Sequence, residues 1–353
     1  MNAPVTLEQL QHPDKQGLRL RLRTLTPLYT GGIGQQGEQL HPSNLLGGLR
    51  HMSCMVARTL GVADFESQVW GTTGQAKQIG LHWDTRQLKP VSLPDKIDLP
   101  RRPDGKQSRW YFNTAHVGEL GLSLTRRGIS DLHWQILRIA LAIQIRHGSF
   151  GSKDQFGLGV LERVEGQSFA TPLDVNAQWE KANLDEASGK LNLLRTCFIK
   201  VGFRHAPGGP RQQKLDRTTA LKLGLATRAT LRNALRARDS DPQAEKDRLT
   251  LLRHRMLGEL NKHGSAINVS AAYGEDDAPE LRIAILLKSE GRDAEKDKDE
   301  RNEIIKRLVN SLGQVNDLID TTGYKYDKSE REYGGTHAKD KAAWLNTLAG
   351  VAP

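Results

Sequence analysis

The chain reads as an α+β protein made of two copies of a βαββαβ unit. Three observations predict this. Leu18-Arg19-Leu20-Arg21-Leu22-Arg23 alternates apolar and charged residues, the period of a strand buried on one face only. The stretches from Pro42 and from Asp131 to Arg146 carry their apolar residues at helical spacing. The second half then repeats the order of the first: strand, loop, helix, strand, later strand, helix. At 353 residues the length suits two domains. They are placed at 1–170 and 191–353, because 171–190 is polar and has no steady period.

In the first half, the strand at 18–23 sends its leucines to a core and its arginines to the other face. A glycine-containing loop follows from Tyr29 to Gly37. Pro42-Ser43-Asn44 predicts a helix start with Ser43 or Asn44 as N-cap. Leu45, Leu49, Met52 and Val56 form that helix's core stripe. The opposite face would carry Gly47, Arg50, Cys54, Ala57 and Arg58. A strand is expected at 78–83, then a long basic surface loop at 86–109 with four prolines, then a strand from Trp110 to Leu124. The helix ending at Arg146 runs into a glycine-rich segment, His147 to Gly159.

In the second half, Leu193 to Phe203 predicts a strand and Arg204 to Arg217 a basic loop. Helices are expected at 227–238 and 245–260, and strands at 266–273 and 280–288. Ser289 to Glu303 is almost wholly charged and reads as a solvated excursion. Ile304 to Ile319 returns to helical spacing, and the tail to Pro353 is polar.

Composition narrows the partner. Lys and Arg number 51 against 41 Asp and Glu, a formal charge of +10, which points to a polyanion and first of all to nucleic acid. The two cysteines, Cys54 and Cys197, lie far apart in apolar runs. They exclude a disulfide scaffold and a cysteine zinc site, and they suit a reducing cytoplasm. No window approaches the roughly 18 apolar residues that cross a bilayer, so no membrane partner is expected.

The glycine-rich segment is the first candidate site. Gly148, Gly151, Gly157 and Gly159 permit positive φ and close approach of backbone to a ligand, and successive N–H groups can form an anion-binding concavity. Arg146, His147 and Lys153 add charge; Ser149, Ser152 and Gln155 add hydrogen bonds. That set suits a phosphodiester backbone without base preference, and equally a tight helix-to-strand connection. The helix start at 42–50 is the second. A helix N-terminus offers free N–H groups and a positive dipole end, with Ser43, Asn44, Arg50 and Arg58 alongside. An ordinary surface helix with ion pairs has the same composition. Arg23 and the second-half helix residues Arg228 and Arg232 complete the candidates.

No P-loop, HExxH, CxxC pair or GxSxG occurs. No cofactor, metal site or catalytic residue is assigned. His51, His147, Asp154 and His205 are candidates by position only for cutting beside a 2′-hydroxyl.

Three segments carry a resemblance. Thr26-Pro27-Leu28-Tyr29-Thr30-Gly31-Gly32 is similar to a TPLFxGG opening. Leu40-His41-Pro42-Ser43-Asn44-Leu45-Leu46-Gly47-Gly48-Leu49-Arg50 resembles an RPSSIKGALR helix start, and Val69-Trp70-Gly71-Thr72-Thr73-Gly74 the FGSTG after it. Arg146 to Gly159 looks like a C-terminal glycine-rich loop. In that order they resemble the RAMP superfamily of CRISPR-associated proteins, most of all the first-subunit family of the type III-B (Cmr) effector complex. Arg50 is followed by His51-Met52-Ser53 where that family has bulky aromatics, which leaves open a related subunit of another type III complex. Ala226 to Arg232 echoes the helix start faintly, so a second RAMP unit would be degenerate.

The resemblance implies tandem ferredoxin-like, RRM-like domains with long basic loop insertions. It implies a non-catalytic, RNA-binding subunit of an antiviral ribonucleoprotein. Its partners would be guide RNA (crRNA), target single-stranded RNA and neighbouring RAMP subunits. Two other readings stay open: a metal-independent endoribonuclease that processes CRISPR repeat RNA, and a basic assembly protein without RNA contact.

Overall fold

A computed structural model describes residues 17–31, 40–94, 113–151, 157–166, 193–207, 214–257, 265–286, 294–333 and 340–351. The chain is α+β, with two antiparallel sheets.

The first sheet grows from β1 (Gly17–Thr24). Leu18, Leu20 and Leu22 are buried, while Arg19, Arg21 and Arg23 face outward, as alternation requires. After α1 (Pro42–Thr59) and a π-helical turn at Glu66–Trp70 come β2 (Ile79–Asp84), β3 (Leu88–Ser92) and β4 (Thr114–Arg126). α2 (Asp131–His147) and β5 (Leu161–Gly166) complete this half. Strand order is β2-β4-β1-β5, with β3 also on β4. Register pairs Leu20 with Leu122 and Leu22 with Leu120, so one apolar face meets α1 and α2 in a shared core.

The second sheet repeats the order. β6 (Thr196–His205) is followed by α3 (Arg217–Ala234), α4 (Gln243–Leu257), β7 (Ile267–Val269), β8 (Tyr273–Gly274) and β9 (Pro279–Leu286). Then come α5 (Ala294–Ser311), the short α6 (Asn316–Ile319), β10 (Tyr324–Tyr333) and α7 (Lys341–Ala349). Strand order is β10-β6-β9-β7, with β8 on β9. In both sheets the first and third strands of the unit lie in the middle. Cys197, Ile199, Val201 and Phe203 of β6 meet Leu281, Ile283 and Ile285 of β9 and the helices in a second core.

Several expectations are corrected. The helix start is capped by His41, not Ser43 or Asn44. Pro42 takes the first helical position, where a missing N–H is harmless, and the His41 N–H goes to Thr30 Oγ1 at 2.8 Å. Cys54 and Ala57, assigned to the outer face of α1, are buried, because α1 is covered by α2 as well as by the sheet. The stretch 86–109 is not loop throughout: β3 adds a strand at 88–92, with Pro90 at its edge position. Its remainder from 95, and 208–213 of the other basic loop, lie outside the described residues.

α3 begins ten residues earlier than expected, because Asp216 caps it and accepts from Thr219 N at 2.7 Å. The charged run at 294–303 is the first half of α5 rather than an excursion. The polar tail holds β10 and α7. The destination of α7 matters most. Its Trp344, Leu345 and Leu348 are buried in the first core, against α2, not in the second.

Candidate nucleic-acid interface

The segments around 26–31, 41–50 and 144–160 lie far apart in sequence and meet in one place. Asn44 Nδ2 donates to the Thr30 carbonyl. The Gly159 N–H donates to Pro27 O at 2.9 Å, and the N–H groups of Leu25 and Val160 reach Val160 O and Thr26 Oγ1 at 2.9 and 3.0 Å. Gln144 Nε2 on α2 donates to Ser149 O. Gly48 of α1 sits against that pair, where a Cβ would lie 3.0 Å from the amide. A third apolar cluster lies beneath, joining Tyr29, Leu93, Ala115 and Leu158 to Leu221, Leu225 and Ala271 of the second half.

The glycines of the loop serve protein backbone. Gly151, Gly157 and Gly159 have φ of 98°, 85° and 88°. A Cβ would lie 2.3 Å from Tyr29 O at Gly151, 2.2 Å from Ala271 N at Gly157 and 1.8 Å from Phe150 O at Gly159. The positive φ expected at these three is therefore present, but what approaches closely is the chain itself. Gly148 differs from expectation. Its backbone is extended (φ −101°), and glycine there leaves room for the Gln144 side chain. Ser152, Lys153 and Gln155, like Asp154, lie outside the described residues.

Arg146 and His147 are corrected in role. Both turn to the end of α7, where Arg146 Nη1 donates to Thr347 O at 3.0 Å and His147 Nε2 lies 2.9 Å from Leu348 O. The carbonyls of a helix's last turn lack intrahelical donors, and these two side chains supply them. The His147 ring also packs on Phe198, centroids 4.9 Å apart. Burial pushes its pKa down to about 4, with Arg146 and Arg282 nearby acting in the same direction. His147 is therefore neutral at pH 7 and cannot serve as a cationic phosphate donor. Arg228 is likewise used internally, on the carbonyls of Ile267 and Leu257 at 2.9 and 3.2 Å. Arg232 is exposed on α3.

The outward cations stand in ion pairs. Arg23 meets Glu162 of β5, with Nε 2.7 Å from Oε1, and Arg21 meets Glu119 of β4 at 2.5 Å. Arg50 and Arg58 share one carboxylate, Glu66, at 2.9 and 3.4 Å. Exposed pairs are each worth about 0.2–1 kcal/mol, so a polyanion can displace the acid at little cost. On α1, Ser43, Gly47 and Arg50 are exposed along one stripe, and a Cβ at Gly47 would meet nothing within 4 Å. This stripe, at the positive end of an 18-residue helix, is the part of the junction open to a ligand.

Of the residues considered for cleavage, His51 is exposed on α1 and His205 stacks on Tyr324, centroids 4.9 Å apart. Among the described residues no three of His, Cys, Asp and Glu are grouped to hold a metal.

Glu66, Gln144 and the end of α7 were not found from the sequence. Glu66 carries no motif, and only the turn at 66–70 brings it beneath Arg50 and Arg58.

No protein-family model and no curated protein matches the sequence. Among solved structures the chain is similar to Cmr1 from Pyrococcus furiosus in its apo form, at 12% identity and a TM-score of 0.45, over 90% of this chain and 99% of that one. It is also similar to a chain of the type III-B Cmr-beta complex bound to cognate target RNA, at 11% identity and a TM-score of 0.46, over 84% of this chain and all of that one (100%). A further state of that complex, with target RNA, AMPPnP and single-stranded DNA, gives 13% identity and a TM-score of 0.46.

Proposed function

We propose that the chain is a RAMP-superfamily, RNA-binding subunit of a type III CRISPR effector ribonucleoprotein, most like the first RAMP subunit of the type III-B (Cmr) complex. On this reading it contributes no catalytic residue. It binds guide RNA, target RNA or both at one end of the assembly, in antiviral defence. One observation carries the proposal: the three segments that resemble the superfamily converge on a single junction, stitched by Asn44, Thr30, Pro27 and Gly159. Unrelated glycine-rich stretches would have no reason to meet.

The topology supports the same reading. Each sheet has its second and fourth strands at the edges, the order of a ferredoxin-like, RRM-like unit, and we read the two as tandem domains. The charge of +10 supports a polyanionic partner.

The experiment is RNA binding by the purified chain at several salt concentrations. The expected outcome is tight, sequence-tolerant binding of single-stranded RNA that weakens steeply with salt. Reversal at Arg23 and Arg50 should weaken it far more than reversal at Lys296 and Lys298. Equal losses would mean that generic charge binds the RNA. Labelled repeat RNA incubated with the chain tests the rival: discrete metal-independent cuts lost in His51→Ala would establish a processing nuclease.

A further inference from the structure

Three arginines in the helical layer of the second sheet come together without carboxylate partners. Arg236 follows the end of α3, Arg253 lies on α4 and Arg307 on α5, and all three are half-buried. Arg236 buries its Nε with no acceptor. Arg253 makes no hydrogen bond or ion pair among the described residues, and it feels the like charge of Arg236. Arg307 Nε donates to Ala234 O, a C-terminal carbonyl of α3, at 2.7 Å, and its terminal nitrogens have no acceptor among the described residues. Two carboxylates face this cluster, Glu245 and Glu303. Both are engaged by Arg248, at 2.7 Å and 3.6 Å, and Glu245 also feels Arg307.

This arrangement costs stability in the free protein. A guanidinium taken from water without an acceptor loses hydration, and two like charges side by side add repulsion. The positions are rigidly held, because Leu235, Leu252, Ile304 and Leu308 on the same elements sit in the second core. A preorganised, under-neutralised cluster of this kind favours an anion. Guanidinium forks match the oxygens of a phosphate. A single carboxylate is already satisfied by one fork, whereas several convergent forks suit a phosphate better.

We propose that Arg236, Arg253 and Arg307 form a phosphate subsite that holds backbone phosphate of the RNA on the helical side of the second sheet. The proposal rests on the RNA-binding reading and extends it away from the motif junction. α3 runs from Leu221 and Leu225, at that junction, to Arg236, a span of about 20 Å at 1.5 Å per residue.

The test compares the full chain with Arg253→Gln, and with Arg236→Gln as a second variant, using two probes. The first is inorganic phosphate, read as a thermal midpoint against chloride of equal ionic strength. Wild type should rise with phosphate. Arg253→Gln should be the more stable protein without phosphate and should lose the increment. The second probe is a uridine 20-mer RNA. Both variants should bind it more weakly, with a log–log salt slope smaller by about one. RNA bound by wild type and variants with equal affinity and slope overturns the subsite and leaves the general RNA reading intact. A phosphate increment retained in both variants also overturns it. No RNA binding by wild type overturns the general reading, and a phosphate effect that then persists through Arg253 would assign the cluster to a different anion, against this proposal.

Discussion

Arg146 Nη1 donates to the carbonyl of Thr347, 201 residues further along the chain, at 3.0 Å. The contact joins the last turn of α2 to the last turn of α7, and His147 makes its companion on Leu348. Arg282 of β9 adds a third tie, with Nη1 on Ile145 O at 2.6 Å. The C-terminal end of α2 is thus the point at which both sheets and the final helix are held together.

If α7 belongs to the first core, its apolar residues should matter as much as any in that core. Leu345→Ala, at a fully buried position, should cost about 2–5 kcal/mol. Arg146→Ala, which removes one partly exposed hydrogen bond, should cost on the order of 1 kcal/mol. Urea denaturation of both variants checks the difference. A Leu345→Ala loss below that of Arg146→Ala would mean that α7 is only loosely docked.

His147 gives the stability a pH dependence of known sign. Its pKa is depressed to about 4 in the folded chain and lies near 6.5 in the unfolded one. Between those values the unfolded chain binds the extra proton, so stability is fully present above about pH 6.5 and falls progressively toward pH 4. The loss is on the order of 3 kcal/mol. Thermal midpoints measured from pH 7.5 to 4 should fall more steeply for wild type than for His147→Gln, which can still donate to Leu348 O.

The two kinds of glycine should respond oppositely. Gly159→Ala forces a Cβ against Phe150 O at a φ of 88° and should cost at least about 2 kcal/mol. Gly47→Ala, in an exposed position inside α1 with no neighbour within 4 Å, should stabilise the fold by about 0.5–1 kcal/mol. Chemical denaturation of the pair measures both signs in one experiment.

Glu66 restrains Arg50 and Arg58 in the free protein. Glu66→Gln should change stability by less than about 1 kcal/mol and should raise RNA affinity, with a steeper salt dependence. Filter binding at low and moderate salt is the check. Unchanged affinity would place the RNA away from α1.

The parts legible in sequence were those with a short-range cause. β1 announced itself through strict alternation, and α2 through its apolar spacing. The three resembling segments were found in order, although nothing local said that they touch. The roles of Arg146, His147 and Arg228 were misread because a cation beside a glycine-rich loop or on a helix has the composition of a phosphate ligand. Each instead satisfies protein carbonyls that become neighbours only after folding.

The amino-acid sequence by itself determined the α+β class, the repeated order of strands and helices, and the basic surplus, since periodicity and charge are local properties. Tertiary structure decided where α7 docks, which carboxylate holds Arg50 and Arg58, and which glycines face backbone rather than ligand. It also brought Arg236, Arg253 and Arg307 together from three helices. Those outcomes depend on long-range packing of apolar faces and on which orphaned carbonyls come within hydrogen-bond reach, and neither leaves a pattern within any single stretch of chain.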